Sequence, residues 1–251
     1  MKRLLILTCI LAVLAVIAAA CGGGGDDDDA ATGSPAPSGE PTLEDMLASV
    51  LLLAGDVPAG LQGAGPNFST NTDIASGEED LNRINATGRL LGADIQYIPT
   101  DQLDDSSPLR GGIQSSASVY SSIEGASSTY QATRQVALDN DWAANYPDLE
   151  NVTVTQIDRP VGDESLWLRV TGLEECEYFA TETPGPDETP LECPDRLVIL
   201  DNVVFRSERM RGYVLVNTVF TQDHDIETVY VDEVLAWTNL MAQRGAETFP
   251  Q

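Results

Sequence analysis

The only histidine in the chain, His224, stands between Asp223 and Asp225. A histidine flanked by carboxylates has the makings of a general base or a metal ligand. The tripeptide also lies between a strand-like run and a helix-like run, where Asp225 is needed as an N-cap, and that spacing favours a structural role. Arg206, Arg209 and Arg211 fall within six residues around a hairpin sequence, broken by Glu208. Guanidinium groups in that pattern bind a carboxylate or phosphate ligand bidentately. The simpler reading pairs them with the chain's own acids, where they also guard a strand end against edge pairing. No G-x-S-x-G elbow, H-E-x-x-H helix or phosphate-cradling G-x-x-x-x-G-K loop occurs. Gly22 to Gly25 do not substitute for one, because no strand precedes them and the carboxylates of Asp26 to Asp29 follow. The expectation is therefore no catalytic residue, no metal site and no cofactor. A carboxylate- or metal-dependent extracellular hydrolase stays open as the alternative, since paired Asp and Glu do glycosidic chemistry without His and acids are everywhere in this chain.

Charge and composition narrow the partners. The 251 residues hold 40 Asp and Glu against 13 Lys and Arg, a net charge of −27. No basic stripe exists to displace counterions from phosphates, so no nucleic acid partner is expected. The apolar fraction of 42% is enough to build a packed core.

The elements that must hold these residues begin after a spacer. Residues 22 to 41 are rich in Gly, Asp, Ser and Pro, with no apolar periodicity, and read as a flexible linker. Twenty such residues reach about 25 Å on a flexible-chain scaling of 5–6 Å × √n. A helix then starts at Thr42, with Met46, Leu47, Val50, Leu51 and Ala54 at helical spacing. A short strand near Phe68 follows. A second helix opens at Ser76 and uses Leu81, Ile84 and Leu91, stopping at Gly92. Strands are predicted over Ala93 to Ile98 and Ile113 to Tyr120. A long helix spans 122 to 145, with Ile123, Ala126, Tyr130, Thr133 and Ala137 on one face. Four strands come next: one around Val152 to Ile157, then Leu166 to Val170, Leu197 to Phe205 and Tyr213 to Phe220. The last two are joined as a hairpin through Arg209 to Gly212. A final helix starts at Asp225 as N-cap and carries Ile226, Val229, Val234, Trp237 and Met241. Trp142, Trp167 and Trp237 all fall on predicted elements and read as core. Consecutive strands with short connections imply one α+β domain over 42–249, an antiparallel β-sheet covered on one face by helices.

The N-terminus carries a separate signal. Lys2 and Arg3 precede an apolar run from Leu4 to Ala20, the pattern of a signal peptide over residues 1–20. The run ends Ile17-Ala18-Ala19-Ala20-Cys21, which resembles the lipobox of bacterial lipoproteins, with Ala18 where that family usually has Leu. The resemblance implies cleavage before Cys21, a diacylglycerol on its thiol, and acylation of the new N-terminus. It places the protein outside the cytoplasm, lipid-anchored to the bacterial cell membrane through acyl chains on Cys21. An uncleaved transmembrane anchor and plain secretion are the competing readings. Within the lipoprotein reading Cys9 leaves with the signal and Cys21 is acylated, which leaves Cys176 and Cys193 to pair as a disulfide. Ordinary secretory cleavage would strand Cys21 as an odd thiol. Loss of Lys2 and Arg3 leaves 11 basic residues, all Arg, against the 40 acids, a side-chain charge of −29.

Cys176 and Cys193 bracket 16 residues of an acidic, Pro-rich insertion at 173–195. Closing such a loop is worth about 3 kcal/mol in a chain-entropy account. The insertion reads as a stapled, solvated hairpin tip, or as an acidic finger for a basic partner or a divalent ion.

The order of the long helix, the turn Val161-Gly162-Asp163-Glu164-Ser165, an apolar hairpin and a C-terminal helix resembles a diffuse group of lipid-anchored or secreted bacterial proteins. Some of these have sensor-like α+β domains similar to the extracellular domains of actinobacterial receptor Ser/Thr kinases. The resemblance spans residues 111 to 245 and carries no catalytic residue across. Those sensor domains have a cleft and more than one disulfide, whereas this chain can form one, so the resemblance implies the fold class alone. Together these features predict a surface lipoprotein whose non-catalytic ligand-binding or interaction domain meets a small molecule or an envelope protein. A structural or assembly lipoprotein of the envelope is the third possibility.

Overall fold

The computed structural model describes residues 40–104, 107–174, 196–220 and 225–251. Glu40 to Gln251 form one compact unit. Six helices occur among the described residues: α1 (Leu43–Val50), α2 (Asn71–Ile74), α3 (Glu78–Ala86), α4 (Ile123–Asp139), α5 (Trp142–Asn145) and α6 (Val231–Thr248). The strands are β1 (Leu61–Ser69), β2 (Arg89–Pro99), β3 (Gly112–Tyr120), β4 (Glu150–Gln156), β5 (Glu164–Glu174), β6 (Arg196–Ser207) and β7 (Met210–Phe220). They make a single antiparallel sheet in the order β1-β2-β3-β7-β6-β5-β4. The class is α+β, as the run of consecutive strands implies.

Alternation along the strands sorts their side chains onto two faces. On one face Trp167, Val203, Phe205, Val214 and Val216 are buried with Leu47 and Val50 of α1 and with Val234, Trp237 and Met241 of α6. This is the main core, and it is the covered face the sequence pattern calls for. The opposite face carries a second, smaller cover. There Val170, Val198 and Leu200 pack with Trp142, Tyr146, Leu149 and Val152. Above the same face, Thr133 of α4 accepts a hydrogen bond from Arg211 of β7 at 2.8 Å. Helices thus lie on both faces, and the second cover is partial: Leu90, Gln96 and Ile98 of β2 are exposed.

Three element ends differ from the sequence reading, each for a local reason. Leu91 leaves α3 and joins β2, where it is buried opposite Val119. The long helix stops at Asp139, because Asn140 is extended and Asp141 caps a separate turn by accepting from the Ala144 N–H. The last helix starts at Val231 and not at Asp225. Asp225 caps only a turn, through Glu227 N–H and the Thr228 hydroxyl. The carbonyls of Ile226 and Val229, which a continuous helix would need, both accept from Arg169 Nη1 at 2.8 and 2.9 Å.

That Arg169 belongs to a buried network. Its Nε and Nη2 make a bidentate pair with Asp201 at 2.8 Å each, both side chains are fully buried, and Trp167 Nε1 donates to Asp201 at 2.7 Å. The pair joins β5 to β6 and pins residues 226–229 onto the sheet.

A second ion pair ties the segment after α1 to α6. Arg244 makes two hydrogen bonds to Asp56, at 2.7 and 3.0 Å, and the Leu53 N–H donates to the same carboxylate. Burial by itself raises the Asp56 pKa, but the hydrogen bonds from Arg244 and Leu53 outweigh it and hold the carboxyl below its ordinary 3.8. A carboxyl lowered on folding contributes stability that is complete above its ordinary pKa and is lost as pH falls through the lowered value. Asp56→Asn should therefore cost about 1.5–3 kcal/mol at pH 7. In urea titrations at falling pH, the gap to the unmodified chain should close below about pH 4. A gap that stays constant with pH would mean the carboxylate is not the source.

Candidate functional site

The cavity of interest lies where α4 ends above the second face of the sheet. Gly125 sets the approach of α4: a Cβ there would lie 2.0 Å from the Thr87 carbonyl oxygen, so only glycine lets the helix start so close to that backbone. Ser122 caps the helix through the Gly125 N–H at 3.2 Å. The break at Asn140 then turns the chain downward, and Trp142 closes the far end. The Trp142 indole donates to the Ala137 carbonyl at 3.1 Å and stacks on Tyr146 with the rings 3° from parallel.

Between these parts is a half-open cavity of about 240 Å³. Thr133, Val136, Ala137, Asn140 and Trp142 form its roof and end, and Leu166, Leu168, Asn202, Val204 and Tyr213 its floor. No carboxylate lines it. Sites for drug-sized ligands usually run from about 300 to 1,000 Å³, mostly apolar with a few placed polar groups. This cavity has that character at a smaller size. Tyr213 donates to Asn202 Oδ1 at 3.0 Å, and burial pushes its phenol far above its ordinary value, so the hydroxyl stays a neutral donor. Val136 at the mouth is 71% exposed, an apolar side chain with little protein over it.

Register places a charged row beside this floor. Leu166, Val204 and Tyr213 are neighbours across β5, β6 and β7. One step along the same face are Glu164, Arg206 and Arg211. Arg211 is in turn opposite Ser118 of β3. The Ser118 hydroxyl accepts from the buried Arg89 at 3.3 Å. Arg89 also donates to Asn71 and Ser69, and burial pushes its guanidinium down.

The three clustered arginines part company. Arg206 pairs with Asp163 at 2.9 Å and lies 3.5 Å from Glu164, which also accepts from the Ser127 hydroxyl. The Gly-Asp-Glu-Ser turn thus supplies its acids, and Asp163 also accepts from the Glu208 N–H. Arg209 lies in the tight turn between β6 and β7 and donates to the carbonyls of Pro250 and Tyr120. Among the described residues Arg211 has one hydrogen-bond partner, Thr133. Arg206 thus meets the chain's own acids, Arg209 meets main-chain carbonyls, and Arg211 lies beside the cavity. Cys21, Cys176, Cys193 and His224 lie outside the described residues.

Trp167 and Trp237 are core, with indoles donating to Asp201 and to the Asp56 carbonyl. Trp142 differs, since it forms a wall of the cavity. Among the described residues no group of three or more His, Cys, Asp and Glu side chains is placed to hold a metal ion. No helix among them is long and apolar enough to cross a membrane.

No family model matches the chain, and no curated protein matches it. Among solved structures the chain is similar to the extracellular domain of PknH from Mycobacterium tuberculosis. The likeness covers 82% of this chain and 98% of that one, at 10% identity and a TM-score of 0.42. It carries no residue of the cavity across.

Proposed function

We propose that this protein is a lipid-anchored, extracytoplasmic, non-catalytic domain that binds a small ligand in the cavity between α4 and the sheet. The observation that carries the reading is the composition of that cavity: Leu166, Leu168, Val204 and Trp142 supply apolar walls, and Asn202, Tyr213 and Thr133 supply a few fixed polar groups. Such a lining desolvates and orients a molecule. A hydrolase of the two-carboxylate type needs acids about 5–10 Å apart facing the substrate. The lining residues include none. The N-terminal features support the location: a lipobox-like Cys21, a Gly- and Asp-rich tether over 22–41, and acyl chains that hold at about 0.8 kcal/mol per buried methylene. The membrane partner is reached through those chains, and the small molecule or an envelope component through the cavity.

Filling the cavity tests the binding role. Ala137→Trp puts an indole into the space while keeping the backbone carbonyl that Trp142 uses. Compounds that raise the melting temperature of the unmodified chain in a thermal-shift screen should give no rise with Ala137→Trp. Equal rises in both proteins would place binding elsewhere and defeat the reading.

A further inference from the structure

The cavity's lining is nearly neutral, yet one cation stands at its edge without an acid. Arg211 donates from Nη1 to Thr133 Oγ1 at 2.8 Å, and Thr133 itself lines the cavity. Arg211 Nε is buried with no hydrogen-bond partner. Among the described residues no carboxylate pairs with Arg211, whereas its register neighbour Arg206 has both Asp163 and Glu164. The Arg206 Nε is likewise buried without a hydrogen bond, so what sets Arg211 apart is the missing acid and its contact with a cavity-lining hydroxyl. Arg89, next along the row through Ser118, hydrogen-bonds only neutral groups, with the Asp73 carboxylate near enough to act on its charge.

We infer that the occupant of the cavity is a small amphiphile whose anionic head, a carboxylate or phosphate, meets Arg211 and whose apolar body lies on Leu166, Val204 and Trp142. This rests on the cavity being a ligand site and specifies what that ligand is. The mature side-chain charge of −29 repels anions at long range, and salt screens that repulsion beyond about 8 Å at physiological ionic strength. Arg211, with no acid of its own among the described residues, acts within that distance. Planar guanidinium donors also match the paired oxygens of such a head.

Three probes with one apolar body separate the parts of the inference: octanoate, octanol and octylammonium. They would be titrated by calorimetry against the mature chain expressed without its leader and carrying Cys21→Ser. Octanoate should bind about 10- to 100-fold more tightly than octanol, the range of a charge-assisted hydrogen bond, and octylammonium most weakly. Arg211→Gln should remove that advantage and leave octanol binding unchanged, and the retained octanol binding shows that the variant is folded. Equal affinity for octanoate and octanol, or an octanoate affinity that Arg211→Gln does not change, overturns the anionic head and leaves the cavity reading standing. Absence of binding by all three probes overturns both.

Discussion

Replacing Asp201 with Ala lowers the unfolding free energy by about 3–5 kcal/mol, the cost of stranding a buried cation. Most domains are stable by only about 5–15 kcal/mol, so this is the substitution expected to approach outright unfolding. The size follows from what Asp201 holds. It accepts two bonds from Arg169 and one from the Trp167 indole, all at full burial, and its loss leaves three donors without partners. The pair itself need not be a net gain, because desolvating two charges costs several kcal/mol. The double variant Arg169→Met with Asp201→Leu should therefore recover most of the stability in urea titration. It should not recover the clamp on residues 226–229, whose carbonyls lose Arg169 Nη1. Hydrogen exchange at the start of α6 should speed up in the double variant even where global stability returns. Slow exchange there would show that packing alone holds this segment.

Cys21→Ala should move the protein from the membrane fraction to the soluble fraction or leave its leader uncleaved, and remove the acyl mass from the intact protein. The expected effect is large because two or more acyl chains bury many methylenes at about 0.8 kcal/mol each, whereas the tether and the acidic body add no attraction to anionic headgroups. Intact-mass measurement and fractionation of both forms check it. Unchanged mass and unchanged membrane retention would remove lipidation from the account and return the uncleaved anchor as the alternative. Reduction followed by thiol counting addresses the second pair of cysteines: Cys176 and Cys193 should become reactive only after reductant.

Six of the seven strands were legible at least in part as apolar, alternating or small-residue runs, and β1 only as a short strand near Phe68, because it is exposed along most of its length and carries no period-two pattern. Their order was not. β7 pairs with β3 and inserts between it and β6, a contact between segments about a hundred residues apart that local periodicity does not encode. The position of α6 was misread for a related reason. Asp225 is a good cap by type, but the carbonyls after it are claimed by Arg169 from another strand. That network did leave a trace: Arg169 follows Leu166-Trp167-Leu168, and Asp201 follows Val198-Ile199-Leu200, opposite charges in the apolar middles of two strands. A lone charge in a buried strand calls for a lone partner in its neighbour.

The candidate site was less visible. Arg211 could be named from the arginine cluster, but its separation from Arg206 depends on the acids of the 163–164 turn reaching one guanidinium and not the other. The cavity depends on where α4 stops. A helix continuing from 122 to 145 would have no break at Asn140 to bring Trp142 down to close it. Asn140-Asp141 is a plausible break by composition, yet nothing in the local pattern sets it against continuation.

The most direct test is to find where a ligand sits. In a two-dimensional ¹H–¹⁵N titration of the mature chain with octanoate, saturable shifts should concentrate at Thr133, Ala137, Val204, Tyr213 and the Trp142 indole, with β1 and β4 unaffected. Shifts gathered on the uncovered part of the sheet around Leu90 and Ile98, or no saturable shifts at any residue, would contradict the account.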